Sequence, residues 1–248
     1  MHASISTPSA TQAVGAVLVV GGGVAGVQAA LDLTELGLKV YLVEKSGAIG
    51  GVMARLDKTF PTNDCSLCIL APKLVEAGRD PNIEILTKSE LLSLDGVPGN
   101  FTAKIRKEPR YIDEEVCTGC GQCTLYCLKQ IGDDYNENLG ISNAAHIDYA
   151  QAVPTSYYID AKACLMLNYQ TCGLCAVACQ ANAIRFDQKE EILDLAVGSV
   201  ILAPGLGRTS KEVLGRYGWG KFADVLSAFE HERLMCASGP TGGAILRP

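Results

Sequence analysis

The sequence predicts an α/β protein that is built on a parallel sheet and interrupted by a cysteine-rich insertion. An apolar, β-branched run at residues 17–20 ends at a glycine cluster, and residues 24–36 then show helical spacing. A second apolar run at 39–43 completes a βαβ pattern, which indicates parallel strands. Cysteines are dense between about residues 111 and 187, and segments with strand character lie on both sides of that block.

Composition excludes several classes of protein. The net charge is -6 and no stretch is dense in Lys or Arg, which argues against a nucleic-acid partner. The uncharged stretch 14–30 contains five glycines and follows no basic residue, so we expect a strand, turn and helix rather than a membrane span. Residues 1–13 are rich in Ser, Thr and Ala and predict a disordered leader. Eleven cysteines, many in C-x-x-C spacing, favour metal ligation in a reducing compartment, and hence a cytoplasmic protein.

The glycine cluster fits G-x-G-x-x-G between a strand and a helix. In such a turn Gly21 allows the tight bend, Gly23 lets a pyrophosphate approach the backbone, and Gly26 allows close packing of helix on strand. Glu44 ends the next strand, where a carboxylate can accept hydrogen bonds from an adenosine ribose. The sequence therefore predicts a dinucleotide site, and the alternative is a glycine turn without a ligand.

Two later glycine segments bear on which dinucleotide binds. Gly50-Gly51 and the turn Ala203-Pro204-Gly205 resemble segments of the two-dinucleotide-binding flavoproteins of thioredoxin-reductase type, with Pro204 in place of the usual Thr. The resemblance implies FAD rather than NAD, bound by a Rossmann-like half-domain. It adds further candidate cofactor contacts: Lys45, Gly51, Arg55, Ala203 and Gly205. Arg55 could meet a phosphate or ribose, or be a solvated basic residue.

The cysteine block contains two related motifs. Cys117-x2-Cys120-x2-Cys123-x3-Cys127 is a spacing typical of [4Fe-4S] ligation, and Cys172-x2-Cys175-x3-Cys179 repeats its later part. The block resembles bacterial two-cluster ferredoxins of α+β fold, which implies that the motifs exchange one ligand. On that pairing, cluster 1 takes Cys117, Cys120, Cys123 and Cys179, and cluster 2 takes Cys127, Cys164, Cys172 and Cys175.

The block departs from the ferredoxin pattern in two respects. Leu128 and Gln180 stand where proline usually follows the last cysteine, and seven residues separate Cys164 from Cys172. Neither departure removes a ligand, although the longer loop makes Cys164 depend on the resemblance. Two four-thiolate zinc sites are the alternative use of the same cysteines.

Cys65 and Cys68 form a separate C-x-x-C pair after the glycine pair. Three interpretations stay open: a redox dithiol with a catalytic role, two ligands of a further cluster completed by Cys236 or by a partner, or two buried free thiols. Cys236 is expected to be a core thiol on a predicted helix.

Strand and helix patterns set the domain organisation. Strands are predicted at 82–86, 101–112, 192–197 and 200–202, and a helix at 223–236. The expected domains are a first part of the FAD-binding domain at 14–110, an inserted 2[4Fe-4S] ferredoxin domain at 111–187, and an incomplete second part at 188–248.

This order of parts is similar to that of the A-type iron-sulfur flavoprotein subunit of heterodisulfide reductase and its relatives. The resemblance rests on local stretches of sequence: the run from Phe60 to Leu74 around the C-x-x-C pair, Gln151-Ala152-Val153-Pro154, and the run from Ala237 to Gly243. A family member would continue through a second nucleotide-type domain to a Gly-Asp-containing segment that completes the FAD site. The chain is therefore expected to be a fragment, or to be completed by a separate polypeptide.

The resemblance implies an electron-transfer oxidoreductase subunit that passes electrons between FAD and two [4Fe-4S] clusters, with the other redox subunits of such a complex as partners. A pyridine-nucleotide-dependent reductase of the glutamate-synthase small-subunit kind is an alternative, but it would need a second G-x-G-x-x-G. A non-enzymatic, ferredoxin-like electron-wire subunit with an empty nucleotide site is the other.

Overall fold

The computed structural model describes residues 13–245, so the predicted leader lies outside the described residues except for Ala13. The strands are β1 Ala16–Val20, β2 Lys39–Val43, β3 Ile83–Leu86, β4 Ser89–Val97, β5 Asn100–Lys107, β6 Gln130–Gly132, β7 Ile141–Asn143, β8 Ala145–His146, β9 Tyr158–Ile159, β10 Glu191–Val197 and β11 Ser199–Leu202. The α-helices are α1 Val24–Glu35, α2 Ser66–Arg79, α3 Gln122–Leu125, α4 Leu165–Tyr169, α5 Leu174–Ala178, α6 Lys211–Gly215 and α7 Ala228–Met235. Single 3-10 turns cover Gly51–Arg55 and Asp134–Asn136.

The predicted parallel sheet is present, with strand order β11-β1-β2-β3. Its central strand β1 is apolar throughout and almost completely buried. Burial on both faces is what a parallel sheet requires, because helices or a second layer must cover each side. Here α1 and α2 pack on one face around Val27, Leu70 and Leu74.

A three-stranded antiparallel sheet, of order β10-β5-β4, covers the other face. Ala103, Ile105 and Val197 from this sheet pack against Leu18 and Val43 of the parallel sheet. β10 pairs along its whole length with β5, from Val197 opposite Phe101 to Glu191 opposite Lys107. The chain therefore leaves this sheet after β5 and returns to it at β10, beside the point of departure.

Residues 108–190 between these strands form a small unit of short hairpins and helices. β6 pairs with β7, β8 pairs with β9, and an isolated bridge joins Ile112 to Ile184 near the two ends of the segment. Its core consists of Ile112, Ile159 and Ile184 together with buried cysteines. Thiols therefore occupy the positions where larger apolar side chains fill the core of an ordinary domain.

Several element boundaries differ from the sequence prediction. β5 ends at Lys107 rather than at residue 112, because the chain turns there into the insertion. The helix predicted at 223–236 begins only at Ala228, since Ser227 and Glu230 form a capping box at that point. β4, which pairs with β5 through an irregular register, was not predicted from the sequence. No helix within residues 13–245 is both long and apolar enough to cross a bilayer.

Candidate functional site

The glycine turn after β1 is a close-packed backbone junction. Gly21 has φ of +110°, and a Cβ added there would lie 2.1 Å from the Ala203 carbonyl oxygen. A Cβ on Gly26 would lie 1.8 Å from the carbonyl oxygen of Gly21. Both glycines are thus required by the protein itself, for the bend and for the approach of α1 to β1.

Gly23 has a different environment. It is the N-cap of α1, and a Cβ added there would meet no heavy atom closer than the Gly51 Cα at 4.0 Å. No side chain caps α1 and its first turn holds no acidic residue, so the first backbone N–H groups are left for another acceptor. An open glycine at an uncapped helix N-terminus fits a phosphate group.

The glycine pair packs directly on this turn. Gly50 N donates to the carbonyl oxygen of Gly22 at 2.7 Å, and Gly23 and Gly50 form an isolated parallel bridge. A Cβ on Gly51 would lie 2.8 Å from the Gly23 Cα. The pair therefore forms one wall of the candidate nucleotide site.

Glu44 is fixed by hydrogen bonds at the end of β2. Its carboxylate accepts from Gly22 N at 2.7 Å and from both the backbone N and the hydroxyl of Ser46 at 2.8 Å. The side chain lines a cavity of about 180 Å³ together with Gly51 and Arg55. Lys45 is exposed and is not among the residues that line this cavity.

Arg55 reaches the insertion. Its guanidinium donates to the Asp134 carbonyl oxygen at 3.1 Å and pairs with Glu137 at 3.2 Å, and it lies 5.1 Å from the ring centre of Tyr135. A contact between Arg55 and a nucleotide remains a proposal, because the structure shows only these protein partners. The interpretation as a solvated basic residue is wrong, since the side chain is mostly buried.

The turn after β11 closes the other side of the glycine junction. Ala203 N donates to the Val20 carbonyl oxygen at 2.8 Å, which continues the pairing of β11 with β1. Gly205 has φ of +77° and an added Cβ would meet nothing within 4 Å. The predicted Ala-Pro-Gly segment therefore lies beside the predicted G-x-G-x-x-G turn.

The eight cysteines of the insertion line two separate small cavities of about 20 Å³ each. One is lined by Cys117, Cys120, Cys123 and Cys179. The other is lined by Cys127, Cys164, Cys172 and Cys175. Each motif thus contributes its last cysteine to the cavity lined by the other motif's cysteines.

Local backbone geometry explains these arrangements. Gly119 and Gly121 have φ of +69° and +76°, which lets the first loop turn tightly between its cysteines. Cys164 is the N-cap of α4, so the longer spacing to Cys172 is taken up by one short helix rather than by a displaced ligand. Cys179 Sγ accepts a hydrogen bond from Ala183 N at 3.2 Å.

Burial acts against ionisation of the inner thiols. It raises the pKa of Cys123 to about 12 and that of Cys175 to about 11. Cys120 is exposed, and a hydrogen bond from the Gln122 backbone lowers its pKa. Metal ligation requires thiolates, so the buried thiols would give up protons only to a bound cation. Within residues 13–245, no three or more His, Cys, Asp or Glu side chains are grouped closely enough to hold a single metal ion.

Two buried arginines join the insertion to the part of the chain that holds the candidate nucleotide site, and neither was predicted from the sequence. Arg233 on α7 is 1% exposed and donates to Asn136 Oδ1 and to the Arg55 carbonyl oxygen, both at 2.9 Å. Arg110 is 3% exposed and donates to Thr87 Oγ1 at 2.7 Å and to the Ser156 carbonyl oxygen at 2.6 Å. Isolated arginines carry no periodic pattern, and the only signal was the position of Arg110 at the start of the insertion.

Cys65 and Cys68 are joined by a disulfide. Both are exposed, so the interpretation as buried free thiols is wrong. Cys236 caps the end of α7, where its sulfur lies 3.2 Å from the Ser238 hydroxyl.

A strand-glycine turn-helix junction with an acidic residue on the neighbouring parallel strand is typical of dinucleotide-binding α/β folds. Residues 16–68 match the family model described as FAD dependent oxidoreductase. The match covers the β1–α1–β2 unit and the glycine pair, and extends to the C-x-x-C pair. The solved L-proline dehydrogenase from P. horikoshii is similar over 36% of this chain and 18% of its own, with 28% identity and a TM-score of 0.32.

More extensive similarity links the chain to particular proteins. It is 47% identical over 231 residues to the A-type iron-sulfur subunit of CoB--CoM heterodisulfide reductase from Methanocaldococcus jannaschii. It is 49% identical to the second of the A-type iron-sulfur subunits of CoB--CoM heterodisulfide reductase from Methanopyrus kandleri. Each match covers 93% of this chain and 34% of the relative, so the chain spans about a third of the length of these relatives. Over nearly all of its length the chain is therefore similar in sequence to A-type subunits of heterodisulfide reductase.

Proposed function

We propose that this chain passes electrons between FAD and two [4Fe-4S] clusters as a subunit of a heterodisulfide-reductase-like complex. The observation that carries the proposal is the division of eight cysteines into two cavities of four, with ligands exchanged between the motifs. Iron-sulfur subunits among the homologues support the same use of the cysteines. We accordingly assign cluster 1 to Cys117, Cys120, Cys123 and Cys179, and cluster 2 to Cys127, Cys164, Cys172 and Cys175.

The insertion at 111–187 would then be the two-cluster ferredoxin domain, between FAD-binding parts at 14–110 and 188–248. The cavities are lined by apolar atoms as well as by sulfur, with Ile112 and Ile184 beside cluster 1 and Ile159 beside cluster 2. An apolar surround restricts water and influences the reduction potential of a cluster. The insertion thus supplies both the ligands and the shielding that such clusters need.

The nucleotide site fits FAD by its donor and acceptor groups. The uncapped N-terminus of α1 at Gly23 would hold the pyrophosphate, and Glu44 would accept from a ribose hydroxyl, with Gly51 as a wall. Arg55 and Lys45 would add positive charge, and Ala203 and Gly205 would border the far side of the junction. Bound FAD would supply the exchange between two-electron and one-electron chemistry, while the protein fixes its position.

The partners we propose are the other redox subunits of the complex. Neither nucleic acid nor a direct membrane span enters this proposal. Free thiols in two four-cysteine sets suit a reducing compartment, so we propose that the protein acts in the cytoplasm.

Metal and flavin analysis of anaerobically purified protein tests this function. We expect about eight irons, the sum for two four-iron clusters, with an equal amount of acid-labile sulfide and a flavin absorbance in the blue. Zinc in place of iron would contradict the cluster assignment. Iron and sulfide without flavin would instead favour the electron-wire subunit, and flavin reduction by NADPH or NADH would favour the pyridine-nucleotide-dependent reductase.

A further inference from the structure

Three residues of the insertion line the same cavity as Glu44. The cavity of about 180 Å³ beside Glu44 is bordered by Tyr135, Asp148 and Tyr149, all of which lie between β5 and β10. The match to the FAD dependent oxidoreductase family model ends at residue 68, so these three residues lie outside the matched part of the chain. The insertion therefore borders the candidate nucleotide site in addition to holding the cysteine-lined cavities.

Tyr149 holds the glycine pair against the nucleotide turn. Its hydroxyl donates to the Ile49 carbonyl oxygen, directly before the pair, and a Cβ on Gly50 would lie 2.7 Å from the Tyr149 hydroxyl oxygen. Ile49 N donates in turn to the Val153 carbonyl oxygen at 2.9 Å. The Tyr149 ring stacks on that of Tyr135, with 5.3 Å between the ring centres. One wall of the cavity is thus held in place by the insertion.

The insertion also holds the two arginines that line the cavity. Glu137 pairs with Arg55 at 3.2 Å and with Arg208 at 2.6 Å, and the Glu137 side chain is only 10% exposed. Solvent screens such partly buried ion pairs less than it screens exposed ones. The two guanidinium groups are therefore held at the cavity, where they suit the phosphate oxygens of a nucleotide.

Asp148 brings a second carboxylate to the cavity beside Glu44. The Tyr158 hydroxyl donates to Asp148 Oδ1 at 2.5 Å, which orients this carboxylate. A carboxylate at a dinucleotide site accepts hydrogen bonds from ribose hydroxyls, and its charge repels a phosphate on the same ribose. Two carboxylates at one cavity therefore favour an unphosphorylated ribose more strongly than Glu44 alone would.

We propose that the insertion completes the nucleotide site, with Asp148 as a second acceptor for the ribose of an adenine dinucleotide. This inference rests on the nucleotide site of the proposed function, but it does not depend on the clusters. Asp148 determines specificity by disfavouring dinucleotides that carry a 2′-phosphate. Tyr149 is a positioning residue that acts through the glycine pair. If Asp148 served only as the partner of Tyr158, its charge would have no effect on ligand preference.

The test compares ADP-ribose with 2′-phospho-ADP-ribose as ligands. The full chain is purified anaerobically, freed of flavin, and titrated with each ligand by isothermal titration calorimetry. We expect the unaltered chain to bind ADP-ribose at least about tenfold more tightly than its 2′-phosphate, because two carboxylates repel the added charge. Asp148→Asn is expected to bind ADP-ribose about tenfold more weakly, but 2′-phospho-ADP-ribose at most about threefold more weakly, because the lost hydrogen bond is offset by the lost repulsion.

Two further variants separate charge from structure. The amide oxygen in Asp148→Asn can still accept from Tyr158, so the internal hydrogen bond is kept. Asp160→Asn is the matched control, because Asp160 is a carboxylate of the insertion that does not line this cavity, and it is expected to bind both ligands as the unaltered chain does. Tyr149→Phe keeps both carboxylates and is expected to weaken both ligands by a similar factor, about two- to tenfold, through loss of one hydrogen bond to the wall.

Equal weakening of the two ligands by Asp148→Asn, unchanged affinity in that variant, or an altered preference in Tyr149→Phe or Asp160→Asn would each overturn the inference. Iron is measured on the same samples to separate this inference from the proposed function. A chain with the expected ligand preference but without iron would contradict the electron-transfer proposal and support this one. An unaltered chain with iron but without affinity for ADP-ribose would overturn this inference and favour the electron-wire subunit.

Discussion

Replacing Gly23 by alanine should separate ligand binding from folding at the glycine turn. The added Cβ would have no neighbour within 4.0 Å except the Gly51 Cα at that distance, whereas a Cβ on Gly26 would lie 1.8 Å from a carbonyl oxygen. Gly23→Ala therefore loses only the small preference for glycine over alanine at an N-cap, about 1 kcal/mol or less. Gly26→Ala must move backbone, which costs about 1–3 kcal/mol.

These free energies translate into melting temperatures and affinities. For a chain of this size each 1 kcal/mol lowers Tm by about 2–4 °C, so Gly26→Ala should melt up to about 12 °C lower. Gly23→Ala should melt within about 4 °C of the unaltered protein. It should nevertheless bind FAD at least about tenfold more weakly, a loss of about 1.4 kcal/mol, because the methyl group occupies the space left for the pyrophosphate.

Differential scanning fluorimetry of the flavin-free protein and titration of FAD fluorescence quenching measure the two effects. Gly15→Ala serves as the control, because an added Cβ there meets nothing within 4 Å and Gly15 precedes the nucleotide turn. Unchanged FAD affinity in Gly23→Ala would show that the pyrophosphate does not bind at this turn. Equal destabilisation by Gly23→Ala and Gly26→Ala would show that the packing argument is wrong.

Three further predictions concern the insertion. Cys120→Ala should lose about half of the iron and one cluster signal in low-temperature EPR while it keeps flavin, whereas Cys236→Ala should keep both clusters. Retention of both clusters by Cys120→Ala would contradict the ligand assignment. Arg233→Met should lower the free energy of unfolding, measured by denaturant titration, by about 2–4 kcal/mol, because buried acceptors in two distant segments lose their charged donor. A change below about 0.5 kcal/mol, the range typical of surface substitutions, would mean that Arg233 does not stabilise the contact between these segments. Burial raises the pKa of Tyr135 to about 12 from an ordinary value of 10.0, so the free energy of unfolding should fall as the pH rises from 10 to 12. Thermal melts across that range should show a shallower fall for Tyr135→Phe, and an unchanged slope would argue against ionisation of this residue.

The nucleotide turn was predictable because its chemistry is local. Gly21 and Gly26 must be glycine because a Cβ at either position would overlap backbone atoms. This requirement produces the fixed G-x-G-x-x-G spacing that is visible in the sequence. The parallel sheet was predictable for a related reason, since β1 and β2 are short apolar runs on either side of a helical pattern. Both signals are contained within about thirty residues, the size of one βαβ unit.

Contacts between distant segments were not predictable from local pattern. Arg233 joins residues 97 and 178 positions away, and nothing in the spacing around α7 marks that role. β4 was missed because its C-terminal half is exposed and contains Asp95 and Gly96, residue types that are depleted in strands. The proximity of the Cys65 and Cys68 sulfurs at the surface was likewise left open by the sequence alone.

The arginine contact also constrains how the chain could be shortened. Because β5 and β10 are paired neighbours, joining them by a tight turn and deleting residues 108–190 would at first sight leave an intact flavoprotein part. Such a deletion would remove Asn136 and the Tyr135 ring, whose centre lies 4.9 Å from the Arg233 guanidinium. The buried charge would keep only the carbonyl oxygens of Arg55 and Ser238 as acceptors. A stable minimal version would therefore also need an apolar residue in place of Arg233, so the insertion cannot be removed without a compensating change on α7.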